Sequence, residues 1–272
     1  MMLRFALVAG LAWFSSTWLL STLERWTLYA FDPTSVAPQD AGLSNVTWKE
    51  FYTADNMHVV WTASAQPGKP TIIYFHGNAG NLAQRAQRFG YMLDRGYGLV
   101  ALAYSGSSGS QGTPSQDNMI ASAAQLWASI DSYSDPASPK VIYGESIGSA
   151  VTLHLIGTQS NVTPAAVILE APFTNLIEVG STLYPQLATV IPQVLKDTWD
   201  NTVMAPKLTA PLLVIHGTKD ALIPQSMGRK IYGLAASAEK NFHSVQGAGH
   251  INTWQPTAQR ALWRFIDTYG RP

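Results

Sequence analysis

Val141-Ile142-Tyr143-Gly144-Glu145-Ser146-Ile147-Gly148 sets one serine between two glycines, at the end of a short apolar run. Ala150-Val151-Thr152-Leu153-His154-Leu155, just downstream, suits a helix. An apolar strand that turns at once into a helix crowds two backbones together. Small residues on either side of the turning residue relieve that crowding and leave the serine hydroxyl at the sheet edge. The alternative is a glycine-rich turn whose serine caps the helix N-terminus. The two readings differ in what else the chain brings to that edge.

The surroundings repeat one pattern. Thr71–Phe75, Leu99–Ala103, Val141–Tyr143, Val167–Leu169, Leu212–Ile215 and Phe242–Val245 are short strand-like runs. Helical stretches fall at about Leu82–Arg95, at Asp117–Asp131, after Ser146 and at Thr253–Tyr269. Continuous apolar strands alternating with helices predict a mostly parallel sheet covered on both faces. Two further strand-like runs, Val46–Tyr52 and His58–Ala63, precede it. No strand interrupts Phe173–Leu208, so this long connection should carry helices of its own and serve as a cap.

In such a sheet, ligands sit beyond the carboxyl ends of the strands. Ser146 lies there. A serine hydroxyl needs a base to take its proton and a carboxylate to orient that base, in the chain order Ser, Asp or Glu, His. Asp220, in His216-Gly217-Thr218-Lys219-Asp220, follows the Leu212 strand. His250, in Gly247-Ala248-Gly249-His250, follows the last strand. These are the expected acid and base. Glu170, at the end of the Val167 strand, is the rival acid. His58, His154, His216 and His243 lack the placement and read as structural. The oxyanion donors should be the backbone N–H groups of Ile147 and of Asn78, in the loop His76-Gly77-Asn78-Ala79-Gly80-Asn81.

Together, Tyr74 to Asn81, Gly144 to Gly148, Glu170-Ala171-Pro172-Phe173-Thr174, His216 to Asp220 and Gly249-His250 resemble the α/β-hydrolase superfamily. They are closest in pattern to its Bem46-like branch of ABHD12- and ABHD13-type serine hydrolases, over about residues 45 to 270. The resemblance implies an α/β-hydrolase fold: an eight-stranded sheet with one antiparallel strand near its start and helices on both faces. It also implies esterase, lipase or thioesterase activity, and an N-terminal hydrophobic anchor. One departure stands out. Where the family usually has an arginine and a Tyr-Gly pair, this chain reads Tyr104-Ser105-Gly106-Ser107-Ser108-Gly109-Ser110-Gln111-Gly112. No Gly-Lys-Ser/Thr closes that loop, so it is not a phosphate loop.

Composition narrows the partners. The 272 residues carry 17 basic and 17 acidic side chains, with no basic patch to hold nucleic acid. Charged residues make up 12%, against about a quarter in typical soluble domains. There is no cysteine, and neither a His-rich metal spacing nor a dinucleotide fingerprint appears. No metal or cofactor is expected. Residues 5–23 are uncharged, close to the ~20 that span a bilayer. Residues 1–30 therefore read as a hydrophobic anchor helix or an export signal, and 31–272 as the hydrolase domain, with 173–208 as its cap-like insertion. No charge clamp for an anionic substrate is visible, and the insertion is rich in Leu, Ile, Tyr and Trp. An ester with a short-to-medium apolar acyl chain is the expected substrate. A membrane-surface lipase or thioesterase, a peptidase or amidase, and a non-catalytic lipid-binding scaffold are the alternatives.

Overall fold

The structure, a computed structural model, describes residues 22, 24–54 and 56–271. Eight strands form the sheet: β1 (Thr47–Tyr52), β2 (Met57–Ala63), β3 (Thr71–Phe75), β4 (Gly98–Leu102), β5 (Lys140–Glu145), β6 (Ala166–Glu170), β7 (Leu212–Gly217) and β8 (Lys240–Val245). Their order is β8-β7-β6-β5-β3-β4-β2-β1. Of the eight, only β2 points opposite to the others. This is the α/β-hydrolase sheet that the resemblance implies. The central strands are buried along their whole length, which is why they read as unbroken apolar runs rather than alternating ones.

Alternate residues of each strand feed two packed layers. Ile72, Tyr74 and Tyr143 point to one face, against Phe89 of α1 (Ala86–Leu93) and Leu262 and Phe265 of α6 (Pro256–Tyr269). Ile73, Phe75 and Ile142 point to the other, against Met119 and Leu126 of α2 (Gln116–Ala128) and Val151 of α3 (Ile147–Thr158). The insertion has no strand. It carries α4 (Leu176–Leu183) and shorter helical turns at Ile191–Val194 and Asn201–Met204. A further helix, α5 (Gln225–Leu234), buries Met227 and Ile231. Its apolar residues are too sparse between Pro224 and Ala235 to announce it in the sequence.

The N-terminal run 5–21 lies outside the described residues. No helix among the described residues is long and apolar enough to cross a membrane. Residues 24–31, at the end of that lead-in, are bound into the fold. Ala30–Phe31 pairs in parallel with Ala79–Gly80. The Tyr29 hydroxyl donates to Asp197 Oδ2 at 2.6 Å and accepts from Trp199 Nε1 at 3.0 Å.

Two buried histidines make stability depend on pH. Burial, reinforced by Arg85, lowers the His76 imidazole to about 3, and burial lowers His154 to about 4. Unfolded, each titrates near 6.5. Between those values the unfolded chain binds more protons, so stability falls as pH falls. From pH 6.5 to 5 each histidine should cost about 1.5 kcal/mol. Thermal melts across that range should show the decline, with a shallower slope for His76→Gln. A flat profile for the wild type would rule the effect out.

Candidate active site

Ser146 occupies the turn between β5 and α3, with φ 53° and ψ −114°. A non-glycine residue rarely adopts such a backbone, and holding it there costs about 1–3 kcal/mol. The flanking glycines show what imposes it. A Cβ on Gly144 would sit 2.6 Å from Thr152 Oγ1 of α3. A Cβ on Gly148 would sit 2.6 Å from the Phe75 carbonyl carbon, with the oxygen closer still. Strand and helix thus pass too near for any side chain at either position. The turn is anchored by Ser146 N–H donating to the Glu170 carbonyl at 2.8 Å and Ser149 N–H donating to the Ser146 carbonyl at 2.9 Å.

Asp220 and His250 come to the same edge from β7 and β8. His250 Nε2 lies 3.0 Å from Ser146 Oγ, and His250 Nδ1 lies 2.8 Å from Asp220 Oδ2. Asp220 also accepts N–H groups from Leu222 at 3.0 Å and Ile223 at 2.8 Å through Oδ1. Burial by itself would raise this carboxyl, but hydrogen bonds from His216 and His250 and from the Ile223 backbone hold it far below the usual carboxylate range. An ionised carboxylate only accepts, so Nδ1 must carry the imidazole proton. That leaves Nε2 free to accept from the serine hydroxyl.

His216 has a role the sequence reading missed. Its Nε2 donates to the Ile223 carbonyl at 2.9 Å and lies 3.4 Å from Asp220 Oδ2. It therefore backs Asp220 from within the protein. Glu170 makes none of its hydrogen bonds to His250. Its carboxylate instead receives Arg88 at 2.7 and 3.3 Å, the Tyr143 hydroxyl at 2.6 Å, Thr253 Oγ1, and Trp254 Nε1 at 3.3 Å. Thr253 and Trp254 lie just beyond His250. The Arg88 guanidinium also stacks over the Trp254 ring, 5.0 Å from its centroid. The loop carrying the imidazole is thus tied to β6.

The wall of the site carries ion pairs but no cation left over to clamp an anionic substrate. A cavity of about 230 Å³ beside Ser146 and His250 is walled by Arg85, Arg88, Glu145 and Glu170. Arg85 grips Glu145 through Nε at 3.2 Å and Nη2 at 3.0 Å. Burial would lift the Glu145 carboxyl, but Arg85 and Arg88 hold it at about 2. The two cations and two anions balance. Arg85, at the end of a 3-10 turn leading into α1, and Arg88, within α1, stand three residues apart, a spacing visible in the sequence, but their partners lie 60 and 82 residues away. No residue of the insertion walls this cavity.

Removing the Glu170 charge takes from the largely buried Arg88 its carboxylate at 2.7 Å and leaves it only Glu145 at 3.8 Å. Glu170→Gln should destabilise the fold by about 3 kcal/mol, and loosening of the His250 loop should lower kcat. Urea unfolding and steady-state kinetics check both. A variant with wild-type stability and turnover would show that the network holds nothing in place.

Asn78 sits in the loop after β3. Its Nδ2 donates to the Leu28 carbonyl at 3.1 Å, and Ala79–Gly80 pairs with Ala30–Phe31, so residues 28–31 brace this loop. Ile147 is the first residue of α3, where helix N–H groups have no intrahelical acceptor. The Gly/Ser loop is ordered without the family's arginine. Ser110 Oγ accepts from Val59 N–H at 2.8 Å and donates to the Ala103 carbonyl at 3.0 Å, and Ser108 Oγ accepts from Leu82 N–H at 2.9 Å.

Known proteins place this arrangement. The family model described as Serine aminopeptidase, S33 (Hydrolase_4), matches residues 66–204. The lysophosphatidylserine lipase ABHD12 of Danio rerio is 31% identical over 218 residues, 73% of this chain and 56% of the relative. Protein bem46 of Schizosaccharomyces pombe is 29% identical over 201 residues, 72% of this chain and 66% of the relative. The chain thus spans between half and two thirds of these relatives' lengths. The Pyrococcus furiosus esterase Pf2001 superposes with a TM-score of 0.68 at 16% identity, over 89% of this chain and 98% of that one. That likeness speaks for the fold. The chain belongs to the Hydrolase_4 family of α/β hydrolases and, within it, is a Bem46-like α/β hydrolase.

Proposed function

We propose that the protein is a serine hydrolase that cleaves carboxylic esters with short-to-medium acyl chains through Ser146, His250 and Asp220. The observation that carries this reading is the unbroken chain of contacts from hydroxyl to imidazole to carboxylate, at 3.0 and 2.8 Å. Three residues 30 to 104 positions apart converge at one sheet edge, in the geometry that general-base activation requires.

In the reaction, Ser146 Oγ attacks the ester carbonyl as its proton passes to His250 Nε2. Asp220 stabilises the imidazolium through Nδ1–H and does not itself take the proton. The backbone N–H groups of Ile147 and Asn78 are proposed to hold the oxyanion of the tetrahedral intermediate. The imidazolium then gives its proton to the leaving alkoxide, and an acyl-Ser146 ester remains. Water, deprotonated by His250, attacks that ester. Collapse releases the carboxylic acid and returns the proton to Ser146. The small cavity supports a modest acyl group. Residues 31–272 form the hydrolytic domain in this reading, 173–208 its insertion, and residues 1–30 an anchor or export signal.

A second reading is lipid or thioester cleavage at a membrane surface. It is favoured by the similarity to a protein described as a lysophosphatidylserine lipase. A profile of p-nitrophenyl esters from acetate to palmitate decides between them. Highest kcat/KM at short-to-medium chains supports the first, and a rise toward long chains presented in micelles supports the second. No turnover of any ester, together with no labelling of Ser146 by a fluorophosphonate, would defeat both.

A further inference from the structure

The insertion exposes apolar surface that the fold does not cover. No residue between Glu178 and Lys196 is charged, and none from Gly180 to Thr198 is buried. Leu183, Tyr184, Leu187, Val190 and Val194 are between 36% and 52% exposed. Single apolar residues on a surface need no explanation, but five within one uncharged protrusion mark a contact face. The protrusion does not line the reaction cavity.

Two observations indicate what covers it. The first is where the chain enters the fold. The Glu24 carboxylate accepts the N–H groups of Lys196 at 2.7 Å and Asp197 at 2.8 Å, immediately past the protrusion. The uncharged residues 5–23 directly precede Glu24. Trp26 is 81% exposed and lines an open cleft of about 480 Å³ with Tyr29, Phe31 and Pro33. Indole rings favour the boundary between lipid and water. The second is topology. The insertion leaves the sheet after β6, and Ile251, 88% exposed beside His250, follows β8. Both lie at the carboxyl edge, with the reaction cavity.

We propose that residues 183–194, with Trp26 and Ile251, form a face that docks onto a lipid bilayer, so that the cavity takes its ester from the membrane. The docking stands on the exposed surface alone, and the source of the ester rests on the hydrolase reading. A bilayer matches the uncharged stretch 179–195, next to the chain's uncharged residues 5–23.

The absence of cysteine permits a direct test in the full chain. Leu187→Cys, and Ala137→Cys at the opposite sheet edge, are each labelled with the environment-sensitive fluorophore NBD. Phosphatidylcholine vesicles should raise the emission severalfold and shift it to the blue at 187, and leave 137 unchanged. Vesicle-bound protein with an unchanged signal at 187 overturns the proposal. A rise at 187 that needs no vesicles and grows with protein concentration also overturns it, in favour of a second copy of this chain. In parallel, the double variant Leu187→Asp, Val190→Asp should lower cleavage of a vesicle-embedded ester about tenfold and leave cleavage of a soluble ester intact. Equal loss on both esters would overturn the delivery of substrate from the membrane. If the wild type cleaves neither ester, the hydrolase reading fails while the fluorescence still decides the docking. Circular dichroism shows whether the double variant folds, and the labelled proteins give the answer if it does not.

Discussion

Ser146→Ala is expected to lower kcat/KM for a p-nitrophenyl ester by about 10⁴-fold or more, because the three side chains act as a unit and none substitutes for the nucleophile. The fold should survive, since alanine keeps the Cβ and loses only the hydroxyl. A second variant at the same position separates chemistry from strain. Ser146→Gly should be equally inactive, yet more stable than Ser146→Ala by about 1 kcal/mol, because glycine accepts the positive φ. With Ser146 as the proposed nucleophile, the φ of 53° is expected to cost stability that activity requires. Fluorophosphonate labelling and thermal melts of both variants test this. If alanine at 146 retained most of the turnover, the nucleophile would have to be sought elsewhere. If glycine conferred no advantage in stability, the turn would be unstrained.

Gly148→Ala should have the next largest effect, and mainly on folding. Its Cβ would drive into the Phe75 carbonyl group at the end of β3. Neither wall is a flexible side chain: one is the central strand and the other is α3. Relief requires moving the helix away from the sheet, a cost of about 3 kcal/mol or more by comparison with ordinary overpacking. Any folded fraction should also be impaired, because the same shift displaces Ser146 from His250 and moves the loop after β3. Urea titration with parallel activity measurements is the check. A variant with an unchanged midpoint and full activity would show that strand and helix have room to separate, and that the glycines flanking the serine are incidental.

Much of this protein is written locally along the chain. The strands announce themselves because both of their faces are covered, so the middles of β3 through β7 are apolar runs, with polar residues such as Lys140, Glu145, Glu170 and His216 only at or near their ends. Gly144 and Gly148 mark the tight turn because backbone excludes every other residue there, the helix four residues on at Gly144 and the end of β3 at Gly148. The order of Ser146, Asp220 and His250, each just past a strand, follows from the parallel topology. Parallel strands bring their carboxyl ends to one edge, so residues at those ends are neighbours in space whatever their separation in sequence.

Only the tertiary structure decided the rest. Glu170, read from its position as a rival acid, is drawn instead into ion pairing with Arg88 and hydrogen bonding with Thr253 and Trp254. His216, read as structural, stands behind Asp220. Arg85 pairs with Glu145 and Arg88 with Glu170, which sets balanced charges into the cavity wall. Residues 24–30, read with the anchor or export signal, brace with Phe31 both the insertion and the loop after β3. Leu183, Tyr184, Leu187, Val190 and Val194 of the insertion face outward rather than into a pocket. The physical reason is common to all of these. Hydrophobic periodicity and turn sterics act between residues a few positions apart and leave a local pattern. An ion pair or a brace joins segments tens of residues apart, and neither partner's neighbours in sequence record which of several compatible side chains the completed sheet will bring within 3 Å.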